Sequence, residues 1–232
     1  MNLHVIMPVK DSPATTRESI AALLQTDGID LTIYNDFSTT ENTAMLEQMA
    51  DKHGFRLINW ADRTDHPSPN YRLTLQDAQQ RALAENAHLV IVESDVVVRE
   101  DTLRQLQAQV ADNVALVAAV TVDDTGDINF PYRYARRLKG GTVSTHHRMS
   151  FCCTLLSNKF LHSYDFHQLD EDKSWYDVTI SHQALHLGFR NLLMLNNPVI
   201  HRPHSSRPWK QLKYSHPIAY YWQKITRKRD RI

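Results

Sequence analysis

Along the first half of the chain, short apolar runs alternate with segments whose apolar positions recur every three to four residues. Leu3 to Val9 is the first apolar run, and Ser12-Pro13 supplies an N-cap and a proline for the first helical position. This predicts a strand followed by a helix from Pro13 to Gln25, with Ile20, Leu23 and Leu24 inward. Leu31 to Tyr34 alternates with a β-branched bias and stops at Asn35-Asp36-Phe37-Ser38-Thr39-Thr40, a run of turn and capping side chains. Met45, Leu46 and Met49 mark the next helix, with Gly54 as its stop. A third strand, Phe55 to Trp60, leads into a polar loop from Ala61 to Asn70 that carries Pro67 and Pro69, and a helix follows from Arg72 to Glu85. His88 to Val92 is a fourth strand, Asp101 to Ala111 a helix and Ala115 to Val122 a fifth strand. This alternation predicts an α/β fold: a mostly parallel central sheet flanked by helices, joined by right-handed crossovers.

After Val122 the pattern changes. Asp123 to Asp127 is a turn, Ile128 to Tyr132 a short strand, and Tyr134 to Arg148 a basic loop around Gly140-Gly141. That loop reads equally as a lid over phosphate or as a solvated surface loop. Ser150 to Leu156 is a strand, Lys159 to Tyr164 a short helix, and Trp175-Tyr176-Asp177 opens a helix closed by Gly188. Asn191 to Leu195 and Val199-Ile200 are extended, ending at His201.

The densest chemistry lies in His88-Leu-Val-Ile-Val-Glu93-Ser94-Asp95, where a buried strand delivers two acids to its C-terminal edge. Ligands of open α/β sheets gather at such edges, and two oxygen ligands there can hold a divalent cation and through it a diphosphate. With a strand's period of two, Glu93 and Asp95 would point to one side. Taken alone, Glu-x-Asp reads first as an acidic strand end that caps the next helix.

Composition adds limits. The 42% hydrophobic and 22% charged fractions are those of a chain that buries a core, so disorder is expected only at the ends. With 232 residues and no linker, one domain spanning residues 1–207 is expected, followed by a tail from 208 to 232. No run approaches the roughly 20 apolar residues of a membrane span, and Met1-Asn-Leu-His-Val is unlike a signal peptide, so the body is expected to be cytoplasmic. The two cysteines, Cys152 and Cys153, are adjacent, which suits buried thiols rather than a disulfide or a metal motif. Net charge is zero, yet seven basic residues after Pro208 face the single acid Asp230, making the tail +6 and the remainder −6.

The order of these motifs is more specific than any one of them. Strand ends at Pro8-Val9, at Asn35-Asp36-Phe37-Ser38-Thr39 and at Glu93-Ser94-Asp95, then a helix opened by Asp177 and a late His201, together resemble the family 2 glycosyltransferases of GT-A fold. The resemblance covers about Leu3 to Arg207 and implies a metal-dependent, inverting transfer of a sugar from a nucleotide-sugar donor to a hydroxyl acceptor, on a surface glycan by family analogy. It places the nucleotide sugar against Pro8, Val9, Asp36, Ser38, Glu93, Ser94 and Asp95. It makes Asp95 a direct ligand of Mn2+ or Mg2+, joined by His201, with His204 as the substitute, and it makes Asp177 the general base. Arg72, Arg148 and Arg207 are phosphate-partner candidates because a guanidinium presents a fork to oxygens. The chain departs from the family pattern at Phe37, where glycine is usual, at Glu93 in place of aspartate, and in lacking an Arg-Asn-x-Gly element near Gln76 to Gln80.

Trp209 to Arg229 interleaves Trp209, Leu212, Tyr220, Tyr221, Trp222 and Ile225 with the basic residues, interrupted by Pro217. Such a segment suits peripheral contact with an acidic membrane face, and hence a lipid-linked acceptor; packing on its own domain or a dimer contact are the other readings. Nucleic acid is not expected, given the acidic body. Two alternative functions share this layout. A sugar nucleotidyltransferase would want a glycine-rich basic loop where the chain has Lys10-Asp-Ser-Pro-Ala, and a catalytically silent sugar-nucleotide-binding or scaffold protein would not need Asp177.

Overall fold

The computed structural model describes residues 1–171, 175–202 and 218, 219, 221 and 222. Strand β1 (Leu3–Val9), helix α1 (Pro13–Leu23), β2 (Ile29–Asn35), α2 (Thr40–His53), β3 (Arg56–Asn59), α3 (Tyr71–Ala84) and β4 (His88–Val92) follow the predicted alternation. The order β3-β2-β1-β4 is parallel throughout. Side chains in β1 and β4 explain why these runs are continuously apolar. Ile6, Leu89 and Ile91 pack on one face with α3, while Val5, Met7, Val90 and Val92 pack on the other with α1 and α2. A strand covered on both faces has no polar side to show.

Beyond β4 come β5 (Val96–Val97), α4 (Thr102–Gln107), β6 (Val114–Val122), β7 (Thr142–Thr145), β8 (Cys153–Leu156), α5 (Asn158–Ser163), α6 (Tyr176–His186) and β9 (Arg190–His201). Here the sheet is mixed. β8 inserts antiparallel between β4 and β6, β9 lies parallel to β6, and β5 and β7 both pair antiparallel with β9, at opposite ends of it. The parallel expectation therefore describes the first four strands and the β6–β9 pair. Between Met194 and Val199 the β6–β9 register shifts, so Pro198 is not asked for a ladder donor.

Four local expectations are corrected. The short strand expected from Ile128 to Tyr132 does not form; only an isolated bridge joins Ile128 to Val122. Ser12 does not cap α1 with its side chain; Asp11 and Ser12 are both left-handed, at φ 57° and 59°. That turn instead links the loops after β1 and β2, with the Asp11 N–H donating to Ser38 Oγ (2.9 Å) and Asp11 Oδ1 accepting from the Thr39 N–H (2.8 Å). The stretch 134–148 is not all loop, because the β-branched residues Thr142, Val143 and Thr145 form β7 against Asn191 to Met194. Finally, β4 stops at Val92, and a turn closed by the Val96 N–H on the Glu93 carbonyl (3.1 Å) replaces the expected continuation of the strand.

Among the described residues no helix is long and apolar enough to cross a membrane. His204, Arg207 and most of the basic tail lie outside the described residues; of the tail, Ile218, Tyr221 and Trp222 are exposed.

Candidate active site

The C-terminal edges of β1, β2 and β4 lie side by side, and the sequence-predicted residues sort there into two groups. The first is built on Asp36. Its N–H donates to the Val9 carbonyl (2.8 Å), continuing the β1–β2 ladder past Asn35. Its carboxylate accepts from Ser68 Oγ (2.7 Å), the Asn70 N–H (3.0 Å) and Asn70 Nδ2 (2.8 Å). A carboxylate has about four acceptor positions, so the loop before α3 orients Asp36 and leaves it room for one further donor. Lys10 Nζ donates to the Asp36 and Phe37 carbonyls (3.1 and 2.8 Å), strapping the turn in which Phe37 holds φ 55°. A left-handed backbone at this position is what favours the glycine of the family pattern. Val9 is buried, and Pro8 and Ser38 are half-buried beside it.

The second group is built on His201. Short strand β5 pairs Val96 with His201, and the Arg202 N–H donates to the Asp95 carbonyl (3.0 Å), so the turn after β4 is laid against the end of β9. His201 is 4% exposed, and its Nδ1 donates to the Phe130 carbonyl (2.7 Å). In the neutral imidazole this leaves Nε2 as the lone-pair nitrogen, facing Asp95 Oδ2 at 3.6 Å, beyond hydrogen-bond distance. Cys152 Sγ lies 3.4 Å from Glu93 Oε2 and 3.9 Å from His201 Nε2. Ser94 is buried within the turn.

The electrostatics of this group call for positive charge. Burial pushes the Glu93 carboxyl above the usual carboxylate range and Asp95 pushes it further, against pulls from His201 and Cys152, with Asp177 adding the smallest push. Burial pulls the His201 imidazole down, but Asp95 and Glu93 outweigh it and the net direction is up. Two acids beside one oriented imidazole fit a divalent cation: hard oxygens and a nitrogen whose tautomer is set from behind.

Asp177 sits in the first turn of α6, where its Oδ1 accepts from the Val178 N–H (2.9 Å), and its charge reaches Glu93 and Tyr132. Arg148 lies between two rings, 5.9 Å from the Phe130 centroid and 5.3 Å from that of Trp175, which bridges the His201 anchor to the start of α6. Arg72 is not drawn to the acids; it forms an ion pair with Glu171. Sequence reasoning missed Cys152, Lys10, Ser68 and Asn70. Nothing local signals them, because their partners lie tens of residues away.

Comparison of the sequence with protein families finds a match to glycosyl transferase family 2 over residues 4–194. The chain belongs to that family. Comparison with curated proteins gives no match by sequence. Among solved structures, this family 2 chain is similar to the mannosyltransferase PcManGT from Pyrobaculum calidifontis in complex with GDP-Man and Mn2+. The TM-score is 0.67 at 15% identity, over 97% of this chain and 64% of that one. It is also similar to GalNAc-T7 with UDP, GalNAc and Mn2+ (TM-score 0.66, 12% identity, 89% and 44% covered). A third is S. aureus TarS 1-349 in complex with UDP (0.65, 15%, 92% and 63%). They establish the shared GT-A-type fold, and the chain spans less than two thirds of the length of each.

Proposed function

We propose that this chain is a metal-dependent, inverting glycosyltransferase that moves a sugar from a nucleotide-sugar donor to a hydroxyl of a glycan or lipid-linked acceptor. The observation that carries the reading is the Asp95–His201 pair, held 3.6 Å apart at the end of β4 with His201 Nδ1 anchored on Phe130. The nucleotide-diphosphate ligands and Mn2+ of the structural neighbours support the same class of donor and cofactor. Asp95 and His201, with Glu93 beside them, would hold Mn2+ or Mg2+, and such an ion offsets charge growing on a leaving diphosphate. Asp36 keeps an acceptor position for a nucleoside N–H or O–H, with Pro8, Val9 and Ser38 forming the adjoining wall and Ser94 within the turn below the diphosphate. Arg148 and, on release from Glu171, Arg72 would meet phosphate oxygens.

Asp177 takes the proton from the acceptor hydroxyl as that oxygen attacks the anomeric carbon, and attack opposite the leaving group inverts configuration. The domain so defined runs from residue 1 to 207. The basic, aromatic tail from 208 to 232 would rest on an acidic cytoplasmic membrane face, where a lipid-linked acceptor is presented. The test is calorimetric titration of UDP, GDP and dTDP with and without Mn2+. Metal-dependent binding of one nucleotide, lost in Asp95→Asn, is expected; no binding of any would favour a catalytically silent protein.

A further inference from the structure

Cys152 is the unassigned group of this site. It precedes β8, its carbonyl accepts from the Glu93 N–H (3.0 Å), and its thiol is 1% exposed. Its neighbour Cys153 is also buried, and both belong to the apolar layer that contains Val90 and Val92. The Cys152 sulfur in addition meets polar atoms, with Ser150 Oγ at 3.3 Å, Glu93 Oε2 at 3.4 Å and His201 Nε2 at 3.9 Å. One Glu93 oxygen, the Cys152 sulfur and one His201 nitrogen all lie within 4.8 Å of one another. In a tetrahedral site with metal–sulfur bonds of about 2.3 Å and metal–nitrogen or metal–oxygen bonds of about 2.1 Å, sulfur sits about 3.6 Å from each neighbouring donor. The observed separations bracket that value.

We propose that Glu93, Cys152 and His201 form a thiolate-containing cation position, so that this centre binds Zn2+ and Cd2+ through sulfur and more tightly than Mn2+. The inference rests on the reading of His201 as a cation ligand and adds a soft donor to it. Mn2+ and Mg2+ prefer oxygen, whereas Zn2+ and Cd2+ accept thiolate. On binding, the thiol proton passes to solvent and a metal–sulfur bond forms, with no change of oxidation state. Hard ions need only the oxygens and the imidazole. Cys152 is therefore a selectivity residue rather than a member of the transfer chemistry.

The test is Cd2+ titration of the full chain followed by ultraviolet difference absorbance, which reports cadmium–thiolate charge transfer directly. One equivalent should develop the band in the wild type and in Cys153→Ser, but not in Cys152→Ser. Competing Zn2+ should erase it in the wild type. Cys152→Ser should weaken Zn2+ on the order of 10–100-fold and change Mn2+ affinity by less than about threefold. No band in the wild type, or an undiminished band in Cys152→Ser, overturns the proposal. If Mn2+ and nucleotide bind normally while Cd2+ gives no band, only the thiolate ligand falls. If the band forms as expected but Mn2+ and nucleotide do not bind, the thiolate site stands and the glycosyltransferase reading falls.

Discussion

Two histidines, each between two acids, occupy opposite edges of the same sheet. At the N-terminal edge, His4 of β1 lies opposite Asp30 of β2 in the parallel ladder, and Glu85 reaches it from the end of α3. Its Nδ1 is 2.9 Å from Asp30 Oδ2 and 3.1 Å from Glu85 Oε2, and those carboxylates are 45% and 36% exposed. At the C-terminal edge, His201 turns Nδ1 away to a carbonyl and presents Nε2 across 3.6 Å to Asp95, which is 9% exposed. The first arrangement is closed by direct hydrogen bonds whose acids remain solvated. The second is held open beyond hydrogen-bond reach, with its charges taken out of water. The two arrangements therefore differ in distance and burial rather than in residue type, and the buried, wider pair is the candidate for bridging by a cation.

The largest effect should come from exchanging the two histidines' roles. His201→Ala is expected to abolish measurable Mn2+ binding, while His4→Ala leaves Mn2+ affinity unchanged; calorimetry on both variants checks this. Loss of Mn2+ binding on changing His4 would place the ion at the wrong edge. Asp177→Asn should retain nucleotide affinity but lower turnover by roughly 10²–10⁴-fold, a general base's share of the rate. Normal turnover in that variant would remove Asp177 from the chemistry. His4→Ala should in turn cost about 2–4 kcal/mol of stability, since it empties a fully buried position, while its two solvated acids add little. Glu85→Gln, at an exposed acid, should cost under about 1 kcal/mol in the same urea melts.

The same contrast explains what was legible in the sequence. β1, β2 and β4 were readable because strands buried on both faces must be written as apolar runs, and Glu93, Asp95 and Asp36 because they end those runs. Asp177 was readable as an acid opening α6, and its proposed role as base rests on its place in the series alone. Cys152 was not readable, because it meets Glu93 across 59 residues and His201 across 49. That meeting depends on β8 inserting antiparallel beside β4, and two adjacent cysteines carry no trace of it. Strand β5, two residues long, has no periodicity to detect, yet it is what seats Asp95 beside His201. The loop Ser68 to Asn70 was recognisable as a loop, whereas its grip on Asp36 was not, since polar loop residues give no sign of which acid they serve.

A third histidine gives the smallest and most specific test. His88 opens β4 at the same edge as His4 but has a different role: its Nδ1 accepts the Asn158 N–H (3.0 Å) at the start of α5, which requires an unprotonated nitrogen. Burial, and then the positive chain terminus, push its pKa below the ordinary histidine value. A depressed folded-state pKa means that the fold favours neutral imidazole. Its contribution is therefore fully present above the unfolded pKa, near 6.5, and is lost as pH falls through the lower folded value. His88→Asn keeps an acceptor near the Nδ1 position and cannot protonate. Between neutral pH and the carboxylate range, the urea midpoint of the wild type should fall more steeply than that of His88→Asn, whereas His4→Ala should not remove this difference. Equal slopes in wild type and His88→Asn would show that the Asn158 bond survives protonation, and would assign the acid sensitivity of this edge to other groups.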